Sequence, residues 1–333
     1  MTVNWRRSAT VAVTTTMTAV LSLLPATSSQ AASLSDPMAF GAFPGAATQS
    51  ATQTFETNAG RSLAYVRVYD RWDSVFPNAQ INWMKNTGHS LFLSIKTRLK
   101  NGTNVSWAAI AAAVPGDPLY ADMQRWATQI KSYELPIYVT FNHEPDTTNS
   151  QTSGTPTDYV AAYRTFVSVM RSENVTNAIW AWTAAARNFS GTTKRYAPNY
   201  YPGDDVVDVI AVDAYNMYCR TKTGKWANPW RSLEQILAPF MSFAAQHPGP
   251  ALVVAEFASA EDPADPTAKA NWISDAQQLF KEPGYERFKA VSYWNTTSHN
   301  YVNCDFKVTT STAALTAYQA MGEDPFYSGK VSQ

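Results

Sequence analysis

Short apolar runs rich in β-branched and aromatic residues recur along the chain and alternate with longer stretches of helical period. Eight runs stand out: Met38–Phe43, Ala64–Tyr69, Ser90–Ile95, Ile137–Phe141, Ala178–Thr183, Val207–Val212, Leu252–Glu256 and Ala290–Trp294. Between them, Leu119–Tyr133 places Met123, Trp126, Ala127 and Ile130 at three- and four-residue steps. Thr157–Ser172 does the same with Tyr159, Tyr163, Phe166, Val167 and Met170. Leu233–Ala245, Ala268–Phe280 and Thr312–Met321 read as further helices, the last sealing the structure. Pro156-Thr157-Asp158 and Asp265-Pro266-Thr267 carry the Pro and cap residues of helix starts.

Strands alternating with helices imply a parallel sheet, and eight units close most simply into an α/β (β/α)8 TIM barrel. An open doubly wound sheet is the rival. It calls for a glycine-rich phosphate loop after the first strand, and Gly41-Ala42-Phe43-Pro44-Gly45 is not one. The first residues lie outside this pattern. Trp5-Arg6-Arg7 is a positive start, Ala9–Pro25 is apolar and Thr-rich, and Ser29-Gln30-Ala31 ends in small residues. Together they predict a secretory signal peptide over 1–31, cleaved after Ala31. The barrel then spans 32–321 as a single domain, and 322–333 reads as a loose C-terminal tail.

Composition narrows the partners. Removing Arg6 and Arg7 from a balanced 26 basic and 26 acidic residues leaves a formal charge of −2. That balance argues against nucleic acid or an anionic membrane, and a secreted monomer is expected. The two cysteines, Cys219 and Cys304, read as one disulfide in an exported protein, and their spacing fits no metal site. No cofactor is called for. Aromatic residues make up 13% of the chain, with 11 Trp and 17 Tyr, a supply of flat rings suited to stacking on sugars.

In a barrel of this kind the chemistry sits at the C-terminal strand ends. The fourth run closes in Asn142-His143-Glu144-Pro145-Asp146 and the seventh in Glu256-Phe257, so two carboxylates converge at the mouth from strands three apart. Such a pair suits glycosidic bond cleavage, one carboxyl protonated and one ionised. Double displacement needs them about 5–5.5 Å apart and inversion roughly 6.5–9.5 Å. Rival chemistries lack their signatures: there is no Gly-x-Ser-x-Gly elbow, and His143-Glu144 does not continue into a zinc-protease motif.

Asn142-His143-Glu144-Pro145 on the fourth strand and Ala255-Glu256-Phe257 on the seventh resemble the retaining TIM-barrel glycosidases of clan A. The histidine before the first glutamate is similar to glycoside hydrolase family 26, with its β-mannanases, lichenases and xylanases. The resemblance spans about 37–321 and implies a retaining endo-hydrolase with Glu144 as acid/base and Glu256 as nucleophile. Tyr215, in Asp213-Ala214-Tyr215-Asn216, resembles the clan tyrosine that bonds the nucleophile. Asn142, His143 and Trp294 are expected at the sugar, with Trp294 as its floor. Arg67 inside the second run is expected to pair with a carboxylate of the site, and Trp182 to flank the cleft. Asp70, Asp73, Asp146 and Asp213 are expected as caps or supports, and His89, His247 and His299 in loops. The expected activity is hydrolysis of a β-linked polysaccharide, β-1,4-mannan first, then β-glucan or β-xylan. The alternatives are a non-catalytic carbohydrate-binding protein on the same scaffold and a hydrolase of a microbial cell-surface polysaccharide.

Overall fold

The computed structural model describes residues 1–2, 37–148, 150–298, 301–302 and 304–332. The signal peptide and its cleavage site at Ala31 lie outside these residues, as does His299. Eight parallel strands form a closed barrel in chain order. They are β1 Ala39–Phe43, β2 Tyr65–Arg71, β3 Ser90–Lys96, β4 Ile137–Phe141, β5 Ala178–Ala185, β6 Val209–Asn216, β7 Ala251–Ser259 and β8 Phe288–Trp294. The surrounding helices are α1 Gln49–Ala59, α2 Ala79–Asn86, α3 Trp107–Ala112, α4 Pro118–Tyr133, α5 Pro156–Ser172, α6 Leu233–Ala244, α7 Ala268–Leu279 and α8 Thr312–Glu323. Among the described residues, no helix is long and apolar enough to cross a membrane.

Local chemistry fixes where helices begin. Thr155 and Asp158 exchange side-chain and backbone bonds across the first turn of α5, with Pro156 at its first position, and Ser232 with Gln235 does the same for α6. Each helix then buries one stripe against the outer faces of the strands. On α4 the stripe is Met123, Trp126, Ala127, Ile130 and Tyr133.

Alternation along each strand sorts its residues between two cores. Val66, Val68, Leu91, Leu93, Val139 and Trp182 face the helices, whereas Ala39, Tyr65, Phe92, Tyr138, Ile179, Ala181, Val209 and Ala211 fill the barrel interior. Gly41 belongs to this inner layer because a Cβ there would run into the Tyr65 ring. Tyr65 spans the lumen to Tyr138, ring centroids 5.9 Å apart.

The C-terminal residues, read above as a loose tail, are instead docked. Met38 and Gly329 exchange backbone contacts with their neighbours (Gly329 N–H to Met38 O, 2.9 Å; Met38 N–H to Phe326 O, 2.7 Å). Tyr327 is buried and donates to Gln277 O at 2.8 Å, and Val331 joins the interior core. This segment closes the N-terminal end of the barrel, so the open end is the opposite one.

Candidate active site

Side-chain alternation dictates which residues reach the mouth. On β2, Tyr65, Arg67 and Tyr69 share the inward face. On β3 the inward series is Phe92, Ser94 and Lys96, and on β6 it is Val209, Ala211, Asp213 and Tyr215. Strict alternation on β7 would place Val253 and Ala255 inward and turn Glu256 out. A bulge prevents this. Val212 and Asp213 pair with Val254 and Glu256, and Val291 and Tyr293 pair with Val254 and Phe257, so both neighbouring strands skip one residue of β7. The extra residue re-aims Glu256 into the barrel.

Glu256 is 5% exposed, and three donors converge on it. Arg67, wholly buried, sets its Nη2 3.3 Å from Glu256 Oε1. The Tyr69 hydroxyl donates to the same oxygen, and the Tyr215 hydroxyl donates to Oε2. Burial holds both phenols well above the usual tyrosine range, so they stay donors. The Arg67 guanidinium lies over the Tyr69 ring at 4.3 Å and over Phe92 at 4.6 Å, which fixes its fork. Beside Glu256, its register partner across β6 and β7, Asp213 has neither carboxyl oxygen hydrogen-bonded among the described residues. Burial, reinforced by the charges of Glu256 and Glu144, pushes it well above the usual carboxylate range, which favours its protonated form.

Glu144 reaches the same space from the end of β4 by an unusual backbone path. Asn142 and Glu144 both adopt left-handed φ, 44° and 48°, and Glu144 N–H donates to Thr183 O on β5 at 2.8 Å. A non-glycine residue in this region costs roughly 1 kcal/mol or more, a strain typical of functional positions. Glu144 lacks the donors that Glu256 has. Among the described residues its ion-pair partner is Arg187, with Nη1 3.8 Å from Oε1. Burial pushes its carboxyl up to about 7, with Arg187 and Lys96 opposing and Asp146 and Glu256 reinforcing. Asp146, fully buried, is itself raised to about 6 by burial despite bonds from Asn188 Nδ2 (2.7 Å) and Ala185 N–H (3.2 Å).

His143 packs against residues of β2 and β3. Its Nδ1 is 3.0 Å from Ser94 Oγ, and its ring meets Tyr69 edge-on at 5.0 Å. Burial, with Lys96 and Arg67 nearby, holds it well below the usual histidine range, so it is neutral. Trp294 stacks on Phe43 at 4.3 Å and meets Tyr69 edge-on at 5.5 Å, leaving a partly exposed aromatic floor. Cys219 and Cys304 form a disulfide that joins the loops after β6 and β8.

Two expected residues are not at the cleft. Trp182 is fully buried on the outer face of β5, packed against Phe189, Tyr201 and Phe243, because Ala181 and Thr183 occupy the inward positions. Asn142 is buried at the end of β4, and its Nδ2 has no hydrogen-bond partner among the described residues. Its Oδ1 accepts from Thr97 Oγ1 at 2.9 Å and from Thr97 N–H at 3.1 Å, pinning the end of β4 to β3. Conversely, sequence reasoning passed over Tyr69, Ser94, Lys96 and Arg187. The first three were findable. Tyr69 is two residues after Arg67, and Ser94 and Lys96 continue one inward face, so each follows from strand period once that face is known.

The chain matches the family model described as glycosyl hydrolase family 26 over residues 117–245. It is 25% identical to endoglucanase H of Acetivibrio thermocellus over 284 residues, which is 82% of this chain but 29% of that protein's length. Among solved structures, a modular endo-β-1,4-mannanase of Cellulomonas fimi superposes with a TM-score of 0.60 at 20% identity, covering 87% of this chain and 71% of that one. The catalytic domain of an endo-β-1,4-mannanase from Bacillus sp. JAMB-750 gives 0.61 at 18% identity, covering 87% and 86%. At such identities the superpositions speak for the barrel fold alone.

Proposed function

We propose that the chain is a family 26-like glycoside hydrolase that cleaves a β-linked polysaccharide by double displacement. Glu256 is the nucleophile and Glu144 the acid/base. The backbone we favour is β-1,4-mannan, then β-glucan or β-xylan, cut internally by a secreted monomer. Endoglucanase H, 25% identical over most of this chain, keeps β-glucan among the candidate backbones.

One observation carries the assignment of roles, the opposite treatment of two carboxyls in one cleft. A cation and two hydroxyls converge on Glu256 and orient it. Glu144, raised to about 7, keeps a proton at mildly acidic pH. In the first step Glu144 gives that proton to the glycosidic oxygen while a Glu256 oxygen attacks the anomeric carbon, forming a glycosyl ester and releasing the leaving chain. In the second, Glu144 takes a proton from water, which attacks the anomeric carbon and frees Glu256. Trp294 offers its face to the sugar being cleaved, and His143, neutral, offers a ring nitrogen to a hydroxyl.

The test is reducing-end release from mannan, glucomannan, lichenan, xylan and bacterial exopolysaccharides. The mature protein should act on at least one of them, with Glu144→Gln and Glu256→Ala slower by several orders of magnitude. Wild-type turnover surviving in either variant would sink the mechanism. Binding without turnover by the wild type would favour the non-catalytic alternative.

A further inference from the structure

Charge is distributed very unevenly around the mouth of the barrel. The segments following β3, β5 and β6 (residues 96–106, 186–200 and 217–231) contain ten Lys and Arg and no Asp or Glu, in a chain with 26 of each sign. The segment after β7, by contrast, carries Glu261, Asp262 and Asp265. Strand order makes the basic segments one arc, interrupted only by the β4 loop that bears Glu144. Nine of the ten cations are exposed, and the tenth, Lys96, points inward at the base of the arc. Among the described residues, only Arg187 forms an ion pair, with Glu144 at 3.8 Å. The acids beside the arc, Asp70 and Asp73 near Lys100 and Glu144 and Asp146 in the β4 loop, are fewer than its cations. The excess of like charges repels itself, and an anionic ligand lowers that cost while gaining in encounter rate.

The arc is also built to hold its shape. Cys219–Cys304 staples the β6 loop to the β8 loop, and Arg220 and Val302 bond backbone to backbone in both directions (2.8 and 3.3 Å). The Arg220 guanidinium lies over the Trp226 ring at 4.2 Å, and that ring stacks on Tyr218 at 4.0 Å. Trp226 is 38% exposed. A fixed guanidinium beside a fixed indole fits a ligand that is both sugar and anion. Closer to the chemistry, the Lys96 ammonium stands 5.2 Å from the Tyr69 ring, within the fields of Glu256 and Glu144, and has no ion-pair partner among the described residues.

We propose that this arc binds acidic groups, carboxylate or sulfate, carried by the glycan that the site cleaves. The preferred substrate is therefore a β-linked polysaccharide with anionic substituents rather than its neutral parent. The inference rests on the hydrolase reading given above, which supplies the backbone, while the arc supplies the choice among decorated chains.

The probes are glucomannan, the same polymer oxidised to carboxylates at C6, and the same polymer sulfated, matched in length. Dissociation constants are measured for the Glu256→Ala protein at low salt and at about 1 M salt, where charge screening reaches within ~3 Å. At low salt one or both acidic polymers should bind on the order of tenfold tighter than the neutral one. That ratio should approach one at high salt, and also in a variant that adds Arg195→Gln, Lys222→Gln and Lys225→Gln. Whether the oxidised or the sulfated polymer gains identifies the acidic group. Equal binding of all three polymers overturns the proposal, as does a preference that survives the triple neutralisation. Equally tight binding of single-stranded DNA of matched charge also overturns it, because the arc would then read charge without sugar. Turnover is scored separately with wild-type protein. If no reducing ends appear from these three or from the mannan, lichenan, xylan and exopolysaccharides tested above, the hydrolase reading fails, while the binding ratios still decide the acidic-ligand inference.

Discussion

Arg67 and Glu256 meet inside the barrel at 3.3 Å, the arginine without solvent exposure and the glutamate nearly so. Neither charge is tolerable there alone, since removing one partner of a buried pair costs about 3–5 kcal/mol. Arg67→Met should therefore destabilise the fold by that amount as well as abolish activity. Adding Glu256→Gln to Arg67→Met should restore much of the stability and none of the activity. Denaturant unfolding of the three proteins checks this. A double variant no more stable than Arg67→Met would mean that the charges are not coupled.

The two phenols on Glu256 are a separate matter, because phenylalanine preserves their ring contacts. Tyr69→Phe keeps the edge-on packing with Phe43, His143 and Trp294 and removes only the donor. A hydrogen bond to a charged group contributes about 1.5–3 kcal/mol, so Tyr69→Phe and Tyr215→Phe should each lower kcat/KM by about 10- to 100-fold. The loss should fall mainly on kcat, because the missing bond orients the nucleophile rather than the sugar. A rise in KM alone would place Tyr69 in binding instead.

Glu144 gives a pH dependence with a defined sign. Its carboxyl is raised from 4.5 to about 7, so the proposed acid is lost as pH climbs through 7, and kcat/KM should show its basic limb there. Arg187 lowers that value, so Arg187→Gln should move the limb upward, by roughly half a unit at low salt given its exposure. Stability carries the same sign. A raised folded value penalises the ionised form, so the penalty is complete above pH 7 and absent below about pH 4.5. Glu144→Gln should thus stabilise the protein on the order of 1–3 kcal/mol at pH 8 and hardly at all at pH 4. Melting curves at the two pH values settle it, and equal effects at both would contradict the assignment.

Much of this was legible in the chain because a closed parallel barrel repeats one simple unit. All eight apolar runs are strands, and the five helices read from their period are present, with boundaries that differ by a few residues at most. Helices α1 to α3 were not read from the sequence. Of these, α2 and α3 are only 8 and 6 residues long, too short for a clear period. The strand-end rule brought Glu144 and Glu256 together in sequence terms, but the direction of Glu256 depends on the β7 bulge, which only pairing with β6 and β8 exposes. Asn142 lay on the right strand end, yet its left-handed backbone and the waiting Thr97 hydroxyl, invisible in a linear pattern, turn it to scaffolding. The docking of Val331 escaped notice for a similar reason, since a lone valine near a terminus carries no periodicity.

Trp182 and Trp294 offer the sharpest contrast between a tryptophan that holds the fold and one that meets substrate. Trp294 ends β8 and Trp182 lies three residues before the end of β5, but parity sends Trp182 outward to Phe189, Tyr201 and Phe243, and Trp294 inward beside Phe43 and Tyr69. Trp182→Ala should cost about 3–5 kcal/mol through the cavity it leaves, with KM unchanged in whatever protein remains folded. Trp294→Ala should cost less stability, because its ring is already partly exposed, and should raise KM or lower kcat through loss of the sugar platform. Parallel denaturant curves and kinetics on the two variants decide between these assignments. Raised KM in Trp182→Ala with wild-type stability would return that ring to the cleft and put the inward register of β5 in error. Because Ala181 and Thr183 share that register, the same result would also undo the placement of the Thr183 carbonyl that anchors Glu144.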